Sequence, residues 1–137
     1  MRIQGARFLD FRNIETAHIS FSPRLTAQSG QNGQGKTNLL EGLYSVAALR
    51  PLRSVPRPNL IRSGAAFAEV ETTVESGTTG LVHQLQVRLD ARGRTLMKDE
   101  KRSEAASFLG HLVAVSFTPD DLEISKGGPD ARRRFLD

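Results

Sequence analysis

The chain has 137 residues, a length at which one compact domain is expected and a hydrophobic core can form without covalent staples. Apolar residues make up 38% and charged residues 25%, an ordinary globular composition that argues against disorder. The absence of cysteine excludes disulfides, zinc–thiolate sites and thiol nucleophiles, and the formal charge of +4 permits contact with nucleic acid without establishing it.

The sequence contains no pattern typical of a membrane segment or an export signal. No apolar run approaches the 18 residues of a membrane span, and charges interrupt the apolar residues at the N-terminus. The three histidines, His18, His83 and His111, lack the spacing of metal ligands. We therefore expect a cytoplasmic protein with no membrane contact.

The first elements in chain order are predicted to be short strands. Residues 2–9 and 17–22 have strand character, and a polar turn with two apolar anchors is predicted at 10–14. Residues 25–29 are predicted to form a third strand that runs into a glycine-rich turn. In that strand Gln28 would be a polar side chain at a buried position, and it would need a hydrogen-bond partner.

A helix is predicted from Lys36 to about Leu49, because Pro51 disfavours helical backbone in the residue before it. Its apolar residues lie at helical spacing and should form one face: Leu39, Leu40, Leu43, Val46 and Ala47. The following residues, 50–63, hold three prolines and form a stiff basic loop. The arginines of this loop are Arg50, Arg53, Arg57 and Arg62.

Residues 66–99 are predicted to form an antiparallel meander, with a strand at 67–75, turns at 76–80 and 90–93, and apolar residues on one face of the strand between them. That face comprises Leu81, Leu85, Val87 and Leu89. A short helix around 103–110 and a buried strand at 113–117 should follow.

Two helix starts are predicted near the end of the chain, at Thr118-Pro119-Asp120-Asp121 and at Gly128-Pro129-Asp130. The second helix has no stop signal before Asp137, so we expect the sequence to be the N-terminal piece of a longer protein.

One stretch carries chemistry, because residues 30–37 match the phosphate-binding pattern G-x-x-x-x-G-K-[ST]. Its glycines allow backbone N–H groups to turn toward anionic oxygens, and the helix that follows directs its positive dipole end at the phosphates. Lys36 would neutralise the β- and γ-phosphates, and the Thr37 hydroxyl would bind Mg²⁺. The predicted nucleotide-binding residues are Gly30, Gln31, Asn32, Gly33, Gln34, Gly35, Lys36 and Thr37.

Other uses of the same glycines fit the sequence less well. A dinucleotide fingerprint that starts at Gly33 would need glycine where Asn38 stands. A GTPase could use residues 90–93 as D-x-x-G, but that pattern falls in a predicted hairpin turn and no N-K-x-D follows. No pattern indicates the acceptor site of a small kinase.

Several stretches together resemble the N-terminal part of the RecF family, whose members are similar to the heads of SMC and Rad50 proteins. The matching stretches are Phe11-Arg12-Asn13, residues 30–41, Leu60-Ile61-Arg62, residues 117–122 and residues 128–137. The resemblance implies an α/β fold of the P-loop NTPase type, lobe I of an ABC-type ATPase head, with an antiparallel β-subdomain. We expect the P-loop core at about 1–50 and 111–137 and the subdomain at about 66–99.

The resemblance also implies a function in DNA replication, recombination, repair and the SOS response. Members bind ATP and Mg²⁺, dimerise around the nucleotide, and bind DNA at single-strand/double-strand junctions and gaps. RecO and RecR are the implied partner proteins. Arg12, Asn13 and Asn38 are implied to lie near the nucleotide, although Arg12 and Asn13 could equally form a solvated turn.

Hydrolysis by such a head needs a Walker B aspartate, a catalytic glutamate and a signature segment, and these motifs are absent from this sequence. The acids Asp120 and Asp121 follow Thr118-Pro119, so we interpret them as helix-capping residues and not as metal ligands. The alternative to an ATPase lobe is a non-hydrolysing nucleic-acid-binding or scaffolding module whose P-loop is vestigial. The loop arginines and Arg132-Arg133-Arg134 could contact DNA, but solvated surface positions explain them more simply.

Overall fold

The computed structural model describes residues 1–53 and 55–118, which form one antiparallel sheet with a helix packed on it. The elements in chain order are β1 (Arg2–Phe11), β2 (Ile14–Ser20), α1 (Lys36–Ala48), a 3-10 helix (Arg57–Leu60), β3 (Phe67–Glu75), β4 (Val82–Asp90), β5 (Arg94–Lys98), β6 (Lys101–Arg102) and α2 (Ala105–Phe108). Within these residues the sheet has six strands in the order β2-β1-β3-β4-β5-β6.

The first hairpin has a tighter turn than the sequence predicts. Phe11 pairs with Ile14, so only Arg12 and Asn13 form the turn, and Arg12 adopts a left-handed conformation with φ 58°. The predicted turn at 10–14 was too long because Phe11 is fully buried, which extends β1 into the core. This turn places Arg12 and Asn13 at the end of the β1–β2 hairpin.

The antiparallel meander predicted at 66–99 is confirmed by β3, β4 and β5. Every second residue of β3 is buried, as expected of a strand with one face on the core, and β4 buries Leu85, Val87 and Leu89. Leu81 precedes β4 and is 58% exposed, so its predicted place on that face was wrong. Because β3 pairs with β1, the meander continues the same sheet as the first hairpin. The proposed division of the chain into a core and a β-subdomain stays a prediction.

The helix α1 begins at Lys36, as predicted, and its C-cap Leu49 is left-handed with φ 53°. Val46 and Ala47 of the predicted apolar stripe are buried, but Leu40 is 57% exposed. The buried face also includes Glu41, Gly42 and Ser45, which the stripe did not contain. The reason is a close approach to the sheet: a Cβ on Gly42 would lie 2.4 Å from the ring of Phe8. Small side chains therefore face the strands, and Leu39 and Leu43 pack at the margin.

Two predicted strands are not formed. Residues 25–29 and 113–117 have no strand assignment, and Leu25, Val115 and Phe117 are 78%, 97% and 78% exposed. An extended segment becomes a strand only when a neighbouring strand pairs with its N–H and C=O groups, and within the described residues neither segment has such a neighbour. Gln28 is consequently exposed and needs no buried partner.

The short helix predicted near 103–110 corresponds to α2, whose Phe108 is buried. The predicted helix starts after Thr118 and after Gly128, together with Asp120, Asp121 and residues 132–134, lie in 119–137, outside the described ranges. Among the described residues, no helix is both long and apolar enough to cross a membrane.

Candidate nucleotide-binding site

The predicted phosphate loop follows residues 25–29, which are not a strand, and leads into the start of α1. Gly33 and Gly35 have φ of 84° and 88°, the left-handed region in which glycine avoids the strain that a Cβ would bring. Gly35 is the N-cap residue, and no side chain among the described residues caps the helix start. The first turn of α1 also holds no acidic residue. The uncapped N–H groups and the helix dipole therefore remain available to an anion.

The ammonium group of Lys36 lies against the beginning of the loop. Its Nζ donates hydrogen bonds to the carbonyl oxygens of Gly30 and Gln31, at 2.6 and 2.7 Å. Both bonds are exposed to solvent, so the side chain can exchange these carbonyls for a phosphate oxygen at low cost. Among residues 1–53 and 55–118 no carboxylate pairs with Lys36, so its positive charge remains available above the loop.

A cavity of about 260 Å³ opens over this loop. Its lining residues are Asn32, Gly33, Gly35, Lys36, Thr37, Asn38 and Arg53. Gly30, Gln31 and Gln34 belong to the loop but do not line the cavity, although Gly30 and Gln31 orient Lys36 through their carbonyls. A larger cavity of about 380 Å³ lies near Leu49 at the other end of α1, where the helix presents carbonyl groups. Phosphate chemistry fits the smaller cavity, because it holds the helix N-terminus.

Arg53 lines the cavity, although no pattern in the sequence assigns it to this site. It was expected to lie on the solvated basic loop, and it is exposed, but that loop returns to the phosphate cavity. Its guanidinium has no ion pair or hydrogen bond within the described residues. Arg53 reaches the cavity because of the course of the backbone at residues 50–53, and no local sequence pattern predicts that course.

Asn13 and Asn38 lie together beside the phosphate loop. The Asn13 amide donates from Nδ2 to the carbonyl oxygen of Gly33 at 3.2 Å, and its Oδ1 accepts a hydrogen bond from Asn38 Nδ2 at 2.8 Å. Of these two side chains only Asn38 lines the cavity. The β1–β2 turn is therefore in direct contact with the loop, and it is not a free solvated turn.

Arg12 contacts the body of α1 and does not line the phosphate cavity. Its Nε and Nη2 donate to the two carboxylate oxygens of Glu41, both at 2.8 Å, and its Nη1 donates to the carbonyl oxygen of Asn59 at 3.0 Å. The Glu41 side chain is only 3% exposed, so this two-pronged pair satisfies a carboxylate that would otherwise be buried alone. Twenty-nine residues separate the partners, and no local pattern reveals the pair.

The donor set at Thr37 is compatible with Mg²⁺. Thr37 is an exposed residue in the first turn of α1 and lines the same cavity as Lys36. Mg²⁺ in nucleotide sites takes few protein ligands and completes its shell with phosphate oxygens and water, so one hydroxyl suffices. The described residues hold no group of three or more histidine, aspartate or glutamate side chains arranged as a metal site.

Comparisons with known proteins agree with this geometry. The DNA replication and repair protein RecF of Anaeromyxobacter dehalogenans (strain 2CP-C) is 43% identical over 141 residues, which cover 100% of this chain and 37% of that protein. The RecF of Myxococcus xanthus (strain DK1622) is 42% identical over 100% of this chain and 36% of its own length. Over its whole length the chain is therefore similar to proteins named RecF. It spans little more than a third of the length of these relatives and matches their N-terminal part. No protein-family model matches the chain.

Solved structures confirm the predicted fold class, a P-loop NTPase of the ABC-ATPase head type. A structure of the recombination mediator protein RecF with ATP, from the RecFOR pathway, is 26% identical with a TM-score of 0.85. The match covers 98% of this chain and 36% of that one. A structure from work on ATP-driven dimerisation and DNA-stimulated activation of SMC ATPases has a TM-score of 0.78 at 21% identity, over 98% and 97% of the two chains. At that identity it supports the fold alone.

Proposed function

We propose that this chain is the ATP-binding lobe of a RecF-type protein of DNA repair and recombination. One observation carries the proposal: Lys36, Gly33, Gly35 and the uncapped start of α1 surround one polar cavity. That combination is suited to a triphosphate, because it offers a mobile positive charge, free backbone N–H groups and a helix dipole together. The solved structure of a RecF with ATP supports ATP as the nucleotide.

The site residues have distinct roles in this proposal. The loop from Gly30 to Gly35 receives the phosphates, Lys36 neutralises them, and Thr37 holds Mg²⁺ when the nucleotide is bound. Arg53 adds a second positive charge from the wall of the cavity. Asn38 lines the same cavity, whereas Arg12 and Asn13 support the loop from outside it.

The whole protein is proposed to couple this nucleotide to DNA. ATP would favour a homodimer closed around the nucleotide, and the dimer would bind DNA at gaps and junctions in the cytoplasm, with RecO and RecR as partners. The RecFOR pathway named for the solved relative and the net charge of +4 support this view. Walker B and signature segments are absent from this sequence, so hydrolysis would need residues beyond those present here.

Fluorescence anisotropy with a gapped duplex tests this function in the intact protein. DNA affinity should rise at least tenfold when Mg-ATP is added, and Lys36→Ala should abolish the ATP-dependent part alone. DNA binding that is steeply salt-dependent and indifferent to ATP would instead favour a nucleic-acid-binding module with a vestigial P-loop.

A further inference from the structure

The β1–β2 turn supports the phosphate loop through one side chain. We infer that Asn13 is a positioning residue, which fixes the conformation of Gly33 and Gly35 so that the loop is shaped for phosphate before any nucleotide arrives. It acts on ATP and ADP alike. This inference rests on the proposed function of the same site, and it assigns Asn13 a role other than contact with the nucleotide.

The contacts of Asn13 connect the loop to α1. Its amide nitrogen holds the carbonyl of Gly33 at 3.2 Å, and its amide oxygen is held by Asn38 Nδ2 at 2.8 Å. Asn38 belongs to the first turn of α1. One side chain therefore links the middle of the loop to the helix that follows it, and both ends of its amide are used.

Gly35 shows how closely this support approaches the loop. A Cβ at Gly35 would lie 2.9 Å from Asn13 Oδ1, tighter than ordinary van der Waals contact. Gly35 is also buried and left-handed, with φ 88°. The glycine thus leaves the space in which the Asn13 side chain sits, and Asn13 in turn limits how far the backbone of Gly35 can move.

Asn13 itself stands on a fixed base. Its neighbour Arg12 makes the two-pronged pair with Glu41, and the Arg12 N–H donates to the carbonyl oxygen of Leu60 at 2.9 Å. The turn is therefore attached to both α1 and the 3-10 helix. A side chain on such a turn can position the loop, because the turn has its own contacts with α1 and the 3-10 helix.

The chemistry of the loop predicts which nucleotides would respond. The loop N–H groups cradle the α- and β-phosphates, which ATP and ADP share. A residue that only shapes this cradle should change both affinities by the same factor. A residue that contacts the γ-phosphate should change the affinity for ATP alone.

Equilibrium titrations of the intact protein with Mg-ATP and Mg-ADP test the inference. Asn13→Ala should weaken both by a common factor on the order of tenfold, since two hydrogen bonds are removed. The matched control is Asn59→Ala, because the carbonyl of Asn59, and not its side chain, accepts from Arg12. A loss confined to ATP would assign Asn13 to the γ-phosphate, and unchanged affinity for both nucleotides would also overturn the inference.

Amide hydrogen exchange without nucleotide provides a second readout. In Asn13→Ala the amides of residues 33–35 should exchange faster than in the parent protein, whereas a residue that only contacts nucleotide would leave them unchanged. If Asn13→Ala fails to fold, Asn38→Ala can replace it, because it removes the hydrogen-bond partner of Asn13 Oδ1. Asn38→Ala should cause the same changes in nucleotide affinity and amide exchange, but smaller ones. Lys36→Ala separates the two proposals: if it leaves ATP affinity intact, the proposed site itself is wrong, and if only the Asn13 predictions fail, the site stands.

Discussion

The sheet and the phosphate loop are held in place by different forces. The sheet is stabilised by strand pairing and by a core in which Phe8, Val70 and Leu85 are at most 2% exposed. The phosphate loop has almost no buried apolar surface, and three exposed side-chain hydrogen bonds from Asn13 and Lys36 hold it. The sheet should therefore determine stability, and the loop should determine ligand binding.

Stability and ligand binding should therefore be separable in this molecule. A core substitution should lower the free energy of unfolding without reshaping the loop. A loop substitution should weaken ligand binding without lowering the free energy of unfolding. The Arg12–Glu41 pair lies between the two regions, since it joins the turn that supports the loop to the helix that packs on the sheet.

The core should show the largest effect. Leu85 is fully buried in β4, and Leu85→Ala should lower the free energy of unfolding by about 2–5 kcal/mol, because it removes apolar contacts and leaves a cavity. Urea unfolding provides the measurement. The control is Leu81→Ala, at a residue 58% exposed, which should change the value by less than about 0.5 kcal/mol. If the two substitutions lowered the free energy of unfolding equally, burial of Leu85 would not explain its contribution to stability.

Lys36→Ala should weaken ATP binding without destabilising the fold. We expect ATP affinity to fall at least 100-fold, or about 3 kcal/mol, with no comparable change in the urea midpoint, because the Lys36 hydrogen bonds are exposed. The control is Lys101→Ala, which removes one positive charge at an exposed residue of β6 and should leave ATP affinity unchanged. If Lys36→Ala also destabilised the fold by several kcal/mol, the separation of the two regions would fail.

The Arg12–Glu41 pair should give an intermediate effect. Glu41→Ala leaves a guanidinium that is only 18% exposed without its carboxylate, and should lower the free energy of unfolding by about 2 kcal/mol. Glu15→Ala removes a partner of Arg62 in a pair whose side chains are 40% and 72% exposed, and should cost about 0–1 kcal/mol. If Glu15→Ala cost as much as Glu41→Ala, burial of the pair would not be the reason for its stability.

The smallest effect should come from His111, far from the phosphate loop in sequence. Burial lowers the pKa of His111 below its ordinary 6.5, and the positive charge of Lys98 lowers it further. The unfolded chain therefore binds this proton more readily than the folded chain, so stability should fall as the pH drops through 6.5 toward the folded pKa. Thermal unfolding between pH 7.5 and 5.5 should show a shallower pH dependence in His111→Gln. An identical slope in the variant would show that the environment of His111 contributes nothing.

Local sequence patterns predicted the parts of the fold that depend on local spacing. The start of α1 at Lys36 and the alternation in β3 are of this kind, because each is encoded within a dozen consecutive residues. The strands expected at 25–29 and 113–117 failed because strand formation depends on a partner, and their own apolar residues say nothing about whether one is present.

The candidate site was predicted less completely than the loop that defines it. Residues 30–37 stand in a recognisable pattern, but the position of Arg53 depends on the path of a proline-rich loop. The pairing of Arg12 with Glu41 depends on the docking of the first hairpin against α1. Such contacts between distant residues arise from the assembled fold, so no spacing rule identifies them.

The central claim, that the loop at residues 30–37 binds the phosphates of ATP, is tested most directly by NMR titration of the intact protein. Mg-ATP should shift the backbone amide signals of Gly33, Gly35 and Lys36, and the shifts should saturate as its concentration rises. Lys36→Ala should abolish these shifts while the sheet amides keep their chemical-shift dispersion. Saturable ATP binding that leaves these three amides unmoved, or that survives Lys36→Ala unchanged, would contradict the account.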